Sequence, residues 1–136
     1  MPVAALLLAC CGKPVALTAD HAWVRLPAVP GRPAAAYFTL HGGAADATLV
    51  AVATPAALRA EMHESMAGGM HPLGSVALPA GGTVTFAPGG RHVMLFDVDP
   101  RLKPGRATTL TLRFADGHRL SARATVVGAA DPSPVS

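Results

Sequence analysis

The sequence predicts an all-β domain built as an antiparallel β-sandwich or Greek-key barrel. Thirteen prolines and fourteen glycines divide the 136 residues at short intervals, and this spacing favours short strands and turns over long helices. Several segments alternate apolar and polar residues with the period of two that is typical of half-buried strands. Asp116 and Gly117 lie between two such segments and predict a β-hairpin turn, because glycine tolerates a positive φ.

The first half of the chain contains three clear strand patterns and one ambiguous segment. The strands are predicted over residues 21–26 (HAWVRL), 35–41 (AAYFTLH) and 46–53 (DATLVAVA). Clusters of Pro, Gly and Asp separate them, as expected for turns. Residues 56–65 (AALRAEMHES) are compatible with either a helix or a strand.

The second half is strand-rich throughout. Residues 76–90 predict two short strands that end in a Pro-Gly-Gly turn, and residues 91–98 (RHVMLFDV) predict the next strand. Residues 109–114 and 118–127 form the predicted hairpin around the Asp-Gly turn. The total is eight or nine strands, which is enough for one sandwich domain with a single core.

The strand at residues 91–98 carries unusual chemistry on one face. Successive side chains on a strand point to opposite faces. Val93 and Leu95 therefore share a face that suits the core, and His92, Met94 and Phe96 share the other. An imidazole and a thioether thus lie side by side on the face away from the core.

A second cluster of histidine and methionine lies upstream, in residues 61–72 (EMHESMAGGMHP). If residues 60–65 form a strand, Met62 faces the core and His63 faces outward, on the same surface as His92 and Met94. Thioether sulfur and neutral imidazole together suit Cu(I), which soft ligands select. Outside the cytoplasm a thioether also has the advantage that it cannot oxidise to a disulfide.

The other candidates in this cluster and elsewhere are weaker. The glycines around Met66 predict an exposed, mobile loop, and Met66 is either a loose loop residue or a substitute ligand. His71 adjoins Met70 and is either an alternative ligand or, as we expect, a residue without a metal role. The histidines that have no methionine neighbour are expected to carry no function: His21, His41 and His118.

Composition and motifs argue against several other functions. The net charge is +3, but the basic residues are scattered, so no nucleic-acid partner is predicted. Cys10 and Cys11 are the only cysteines, which excludes a blue-copper site in the folded domain, because such a site requires a thiolate. No nucleophile motif, zinc-hydrolase motif or phosphate-binding loop is present, so neither an enzyme nor any catalytic residue is predicted.

The first residues of the chain predict an export signal, and the last residues predict a flexible tail. Residues 1–19 are interpreted as an export-signal or lipoprotein-type segment with a linker, residues 20–128 as the β-sandwich domain, and residues 129–136 as a flexible tail. The stretch LLAC resembles a bacterial lipoprotein cleavage box, in which Cys10 becomes the lipidated first residue. This predicts a periplasmic protein anchored to the membrane. The alternative is an apolar N-terminus of a cytosolic protein.

The spacing of these residues resembles the periplasmic copper chaperone family that carries the PCuAC domain. Met70, twenty-one intervening residues, then His92, Val93 and Met94 match the family pattern Met-x21-His-x-Met. The flanking stretches MHPL, LPAGGTVTFAPGGRHVMLFDV and LKPGRATTLTLRFADG are similar as well, and the resemblance covers roughly residues 20–127.

The resemblance implies a set of copper ligands: His63, Met70, His92 and Met94. Only six residues separate His63 from Met70, where the family has about ten. The shorter segment lies in the glycine-containing loop, which can change length without disturbing the strands. Met66 takes the ligand role if Met70 does not reach the site.

The resemblance also implies a fold and a role. The fold is a cupredoxin-like β-sandwich that binds Cu(I) at its surface. We expect one Cu(I) per chain and a monomeric protein. The role is delivery of copper toward the CuA centre of cytochrome c oxidase, beside a thioredoxin-like copper-insertion protein. The alternative is an extracytoplasmic β-sandwich interaction domain without metal. If His63, His92 and Met94 converge on one exposed face, the copper chaperone is favoured. If these side chains are scattered, the interaction domain is favoured.

Overall fold

The structure, a computed structural model, describes residues 15–135, which form ten β-strands and no helix. The strands are β1 (Thr18–Arg25), β2 (Ala34–His41), β3 (Ala47–Ala53), β4 (Ala57–Met66), β5 (Gly69–Pro72), β6 (Val76–Leu78), β7 (Thr83–Phe86), β8 (Arg91–Val98), β9 (Ala107–Phe114) and β10 (Arg119–Val127). Within this part of the chain, no helical segment has the length and hydropathy needed to cross a membrane. The predicted lipidation site Cys10 lies outside the described residues.

All ten strands join in one hydrogen-bonded sheet with the order β5-β4-β8-β7-β2-β1-β10-β9-β3-β6, and β2 also pairs with β8. Most neighbours are antiparallel, and the exceptions are the parallel pairs β1–β10 and β7–β8. Strands β3 and β4 lie far apart in this order but contact each other, so the sheet folds over on itself. The predicted fold class, an all-β and mainly antiparallel cupredoxin-like sandwich, is confirmed.

The core is built from the inward face of each strand. Val93 and Leu95 of β8 are completely buried, and Met62 of β4 is 6% exposed and belongs to the same cluster. Both placements were predicted from the alternation of the sequence. Phe38 of β2 stacks on Phe86 of β7 with 4.4 Å between the ring centroids. Aromatic pairs of this kind contribute stability beyond the area that they bury.

Two segments differ from the simplest sequence interpretation. The ambiguous segment is a strand, β4, because it pairs along most of its length with β8, from Ala57 opposite Val98 to Glu64 opposite Arg91. The segment Gly69–Pro72, which was expected to be part of a mobile loop, instead forms the short strand β5 against β4. This additional strand was missed because Gly69 and Pro72 weaken its local β propensity.

The hairpin at the end of the chain is as predicted. Asp116 and Gly117 form the turn between β9 and β10, and Gly117 has a φ of 90°. The Phe114 N–H donates to the His118 carbonyl across the turn at 2.8 Å. After β10 the chain returns over the outer face, where Val135 packs against the pair of aromatic rings of Trp23 and Tyr37.

Candidate metal centre

Strands β4 and β8 bring two of the predicted ligands directly opposite each other. In their antiparallel register His63 is paired with His92, and Glu61 is paired with Met94. Side chains of directly paired residues lie on the same face of the sheet. The two imidazole rings are nearly parallel, at an interplanar angle of 18°, and their centroids are 6.0 Å apart. His63, His92 and Met94 therefore share the outer face of the sheet.

The fourth predicted ligand arrives on the hairpin between β4 and β5. Residues 67 and 68 form its turn, and Gly68 has a φ of 95°, a value that L side chains rarely adopt. The hairpin register places Met70 opposite Ser65, on the face that His63 occupies. The Met70 Sδ lies 3.1 Å from the His92 Nε2.

The short spacing between His63 and Met70 is thus compatible with one site, because a tight hairpin replaces a longer loop. Met66 is paired with Gly69 and by alternation lies on the side of Met62. Its side chain is 57% exposed. The structure therefore brings Met70, and not Met66, into contact with His92.

The predicted ligands differ in their exposure to solvent. His92 is 7% exposed and Met70 is 54% exposed, and Met94 is intermediate. These three side chains line a cavity of about 280 Å³, together with Tyr37 and Ser65. Burial raises the pKa of the Tyr37 hydroxyl. Met70 therefore forms the solvent-facing rim of this cavity, and His92 forms its inner side.

The hydrogen bond between His92 and Gly90 defines which nitrogen of the His92 ring carries the proton. Its Nδ1 lies 3.1 Å from the carbonyl oxygen of Gly90. A carbonyl oxygen only accepts, so Nδ1 carries the proton, and the neutral ring presents the lone pair of Nε2. This lone pair lies beside the Met70 sulfur, and an imidazole nitrogen next to a thioether is a pair of donors that suits a soft cation.

This face of the sheet has few of the carboxylate ligands that hard cations prefer. Between residues 15 and 135, no group of three or more His, Cys, Asp or Glu side chains is arranged to hold a metal ion. The only carboxylate in contact with a predicted ligand in this region is Glu61, whose Oε2 lies 3.2 Å from the His63 Nε2. The donors that this face offers are therefore mainly imidazole nitrogens and thioether sulfurs.

Sequence analysis did not identify Glu61, Tyr37 or Gly90 as neighbours of the site. The period of two along β4 is a signal that could have indicated Glu61, because it lies two residues before His63 and hence on the same face. Gly90 lies only two residues before His92, and the Pro-Gly-Gly turn before β8 is the local signal that could have indicated this contact. Tyr37 depends on the pairing of β2 with β8, and nothing local in the sequence indicates it.

Two other histidines are engaged elsewhere. The His21 Nδ1 and the His41 Nε2 each lie 2.9 Å from the same carboxylate oxygen, Asp20 Oδ1. The hydrogen bond from His41, and a second one from His21, hold the pKa of the Asp20 carboxyl below its usual range. The carboxylate links strands β1 and β2 outside the His/Met site.

The Asp20→Asn variant is expected to be less stable than the wild type near neutral pH, with a difference that shrinks in acid. A carboxyl group with a lowered pKa in the folded state stabilises the fold above its unfolded pKa, and this contribution is lost as the pH falls through the folded value. Urea unfolding of both proteins at about pH 6 and about pH 2 checks this. A difference that does not change with pH would contradict the assigned role of Asp20.

Comparison with known proteins places this geometry in a family. The family model described as "LpqE-like: Putative lipoprotein LpqE-like" matches residues 17–126. The "Putative lipoprotein Lxx21020" of Leifsonia xyli subsp. xyli (strain CTCB07) is 33% identical over an alignment of 103 residues, and the match covers 72% of this chain. The chain spans 61% of the length of that curated relative.

Solved structures with the same fold include PCuAC domains. The copper-bound PCuAC domain from PmoF2 has a TM-score of 0.69 at 25% identity and covers 86% of this chain and 99% of its own. The apo PCuAC domain from PmoF1 has a TM-score of 0.69 at 30% identity, with coverages of 84% and 96%. The solution structure of CuI-DR1885 from Deinococcus radiodurans has a TM-score of 0.60 at 36% identity, with coverages of 78% and 76%. The chain therefore belongs to the LpqE-like family and carries a PCuAC domain.

Proposed function

We propose that this protein is a copper chaperone that binds one Cu(I) through His63, Met70, His92 and Met94. The observation that carries the proposal is the contact of 3.1 Å between the Met70 Sδ and the His92 Nε2. It joins a thioether and an imidazole from separate parts of the sequence on the face that His63 and Met94 also occupy. Two of the similar structures are named for their bound copper, the PCuAC domain from PmoF2 and CuI-DR1885.

The chemistry of these four donors suits transfer rather than permanent storage. Two thioethers and two neutral imidazoles carry no charge, so they hold a soft monovalent ion through polarizable donors without strong charge attraction. Met70 lies at the exposed rim on a hairpin, where an acceptor can replace it first. His92 is buried and fixed by Gly90, and so it retains the ion until the acceptor has bound.

The destination and location are part of the same proposal. Family resemblance supports delivery toward the CuA centre of cytochrome c oxidase, beside a thioredoxin-like copper-insertion protein. The family description and the curated relative both carry the word lipoprotein, which supports an exported, periplasmic protein anchored through Cys10. We propose that the domain acts as a monomer and as a carrier, not as an enzyme.

A matched pair of methionine variants tests the binding site. Met70→Leu is expected to weaken Cu(I) binding by more than about tenfold, because a direct ligand contributes at least as much as the outer partners that typically cost 10–100-fold. Met66→Leu, an equally exposed change four residues away, is expected to leave the affinity unchanged. Competition titration with a colorimetric Cu(I) chelator measures both.

The result of this titration decides between a copper chaperone and an interaction domain without metal. Uptake of one Cu(I) per chain that depends on Met70 supports the chaperone. Failure of the wild type to compete for Cu(I) overturns it and favours an interaction domain without metal. Transfer is then measured by mixing the copper-loaded protein with the soluble CuA domain of an oxidase, and retention of copper by the carrier overturns the proposed destination.

A further inference from the structure

A line of contacts on the outer face of β4 and β8 ends at His63. Arg59 is paired with Phe96 in the sheet register, and its guanidinium carbon lies 4.3 Å from the centroid of that ring. The Arg59 Nη1 is 3.5 Å from Glu61 Oε1. The other carboxylate oxygen, Oε2, is 3.2 Å from the His63 Nε2. The carboxylate is thus held between a cation and an imidazole.

We propose that Glu61 is a positioning residue that makes Nδ1 the copper-binding nitrogen of His63, an inference that rests on the proposed function. A carboxylate only accepts hydrogen bonds, so its contact with Nε2 holds the ring proton on Nε2. The neutral ring then presents a bare lone pair on Nδ1. A carboxylate behind a metal-binding imidazole fixes both the tautomer and the orientation of the ring.

The surroundings of Nδ1 agree with this assignment. The atom is buried and has no hydrogen-bond partner among the described residues. Buried polar atoms of side chains nearly always have a partner, so this nitrogen is an exception that a bound ion explains. The side chain of His63 as a whole is only 15% exposed, and its ring faces that of His92.

The two histidines therefore bind through different nitrogens. His92 has its proton on Nδ1, held by Gly90, and offers Nε2. His63 has its proton on Nε2, held by Glu61, and offers Nδ1. Because Nδ1 is bonded to the ring carbon that joins the side-chain stem, His63 holds the ion closer to β4 than it would through Nε2. His92 on the neighbouring strand β8 offers Nε2, the ring nitrogen farther from its own backbone, and so it can bind an ion that lies nearer to β4.

Two-bond ¹H–¹⁵N correlation spectra of the metal-free and Cu(I)-loaded protein test the proposal directly. Cu(I) is diamagnetic, so the ring nitrogens of His63 are observed in both states. The metal-free wild type is expected to show the tautomer protonated at Nε2. Loading with Cu(I) is expected to shift the Nδ1 resonance of His63 and the Nε2 resonance of His92.

Substitutions of Glu61 and Glu64 separate the proposed positioning of the His63 ring from the effect of a nearby negative charge. Glu61→Ala is expected to give a mixture of His63 tautomers and to weaken Cu(I) binding about tenfold. Glu61→Gln is expected to restore much of the tautomer preference, because the amide oxygen still accepts from Nε2–H. Glu64→Gln removes the same charge next to His63, but on the opposite face, and is expected to change neither property.

The outcomes distinguish this proposal from the function on which it rests. Copper bound at Nε2 of His63 in the wild type, or an unchanged tautomer in Glu61→Ala, would overturn the role of Glu61. An equal loss of affinity in Glu64→Gln would assign the effect to net charge and overturn it as well. A wild type that takes up no Cu(I) overturns the proposed function, whereas the tautomer of the metal-free protein still reports on Glu61.

Discussion

Replacing both His92 and Met94 with alanine is expected to lower the affinity for Cu(I) by at least about 100-fold, because both are proposed direct ligands and the loss of one outer partner alone typically costs 10–100-fold. His92 is the centre of the site in the structure. It contacts the Met70 sulfur and lies opposite His63 in the sheet. Met94 shares its face two residues further along β8. Removing both leaves only two of the proposed ligands, His63 of β4 and Met70 of β5.

A control of the same composition is available in the chain. The double variant Met66→Ala and His118→Ala also removes one thioether and one imidazole, and both residues are exposed. Its affinity for Cu(I) is expected to equal that of the wild type. The single variant Met94→Leu retains the volume of the side chain, so loss of binding there is separated from loss of folding. Wild-type affinity in the His92/Met94 double variant would refute the proposed ligand set.

The alternation of the sequence predicted much of the fold because the strands at the centre of the sheet bury one clear face. Val93 and Leu95 are completely buried, as the pattern of β8 indicates. Strand β4 was ambiguous because its Ala, Leu, Glu and Met residues also favour helices. Pairing with β8 determines its conformation, and a local pattern contains no information about that partner.

Part of the candidate site could be predicted in the same way. The shared face of His92 and Met94 follows from the period of two, and so does the outward direction of His63. The position of Met70 requires the hairpin turn at Gly68 and the register that pairs Met70 with Ser65. Neither is visible in residue spacing alone. The contact between Glu61 and His63 also depends on side-chain conformation.

The Phe86→Ala variant is expected to lose about 3–5 kcal/mol of unfolding free energy, the usual cost of removing a large aromatic side chain from a core. Phe86 is 2% exposed and stacks on Phe38, so truncation leaves a cavity and removes an aromatic pair. The residue lies in the short strand β7, which has only four residues. We expect little local rearrangement to fill the space, because β7 is hydrogen-bonded to β2 and to β8.

Urea unfolding followed by circular dichroism measures this loss, and Leu58→Ala is the matched control. Leu58 is also a large apolar side chain on a strand, but it is 86% exposed, so its truncation is expected to change stability by no more than about 0.5 kcal/mol. Equal effects of the two substitutions would contradict the assignment of Phe86 to the core.

The same variant also tests whether the proposed copper site depends on the stability of the core. Because β7 leads directly into the turn before β8, a folded Phe86→Ala protein that still binds Cu(I) would show that the site tolerates a weakened core. The proposed ligands of β4 and β8 are held by the register of these two strands, and we therefore expect Cu(I) binding to survive in every variant that still folds.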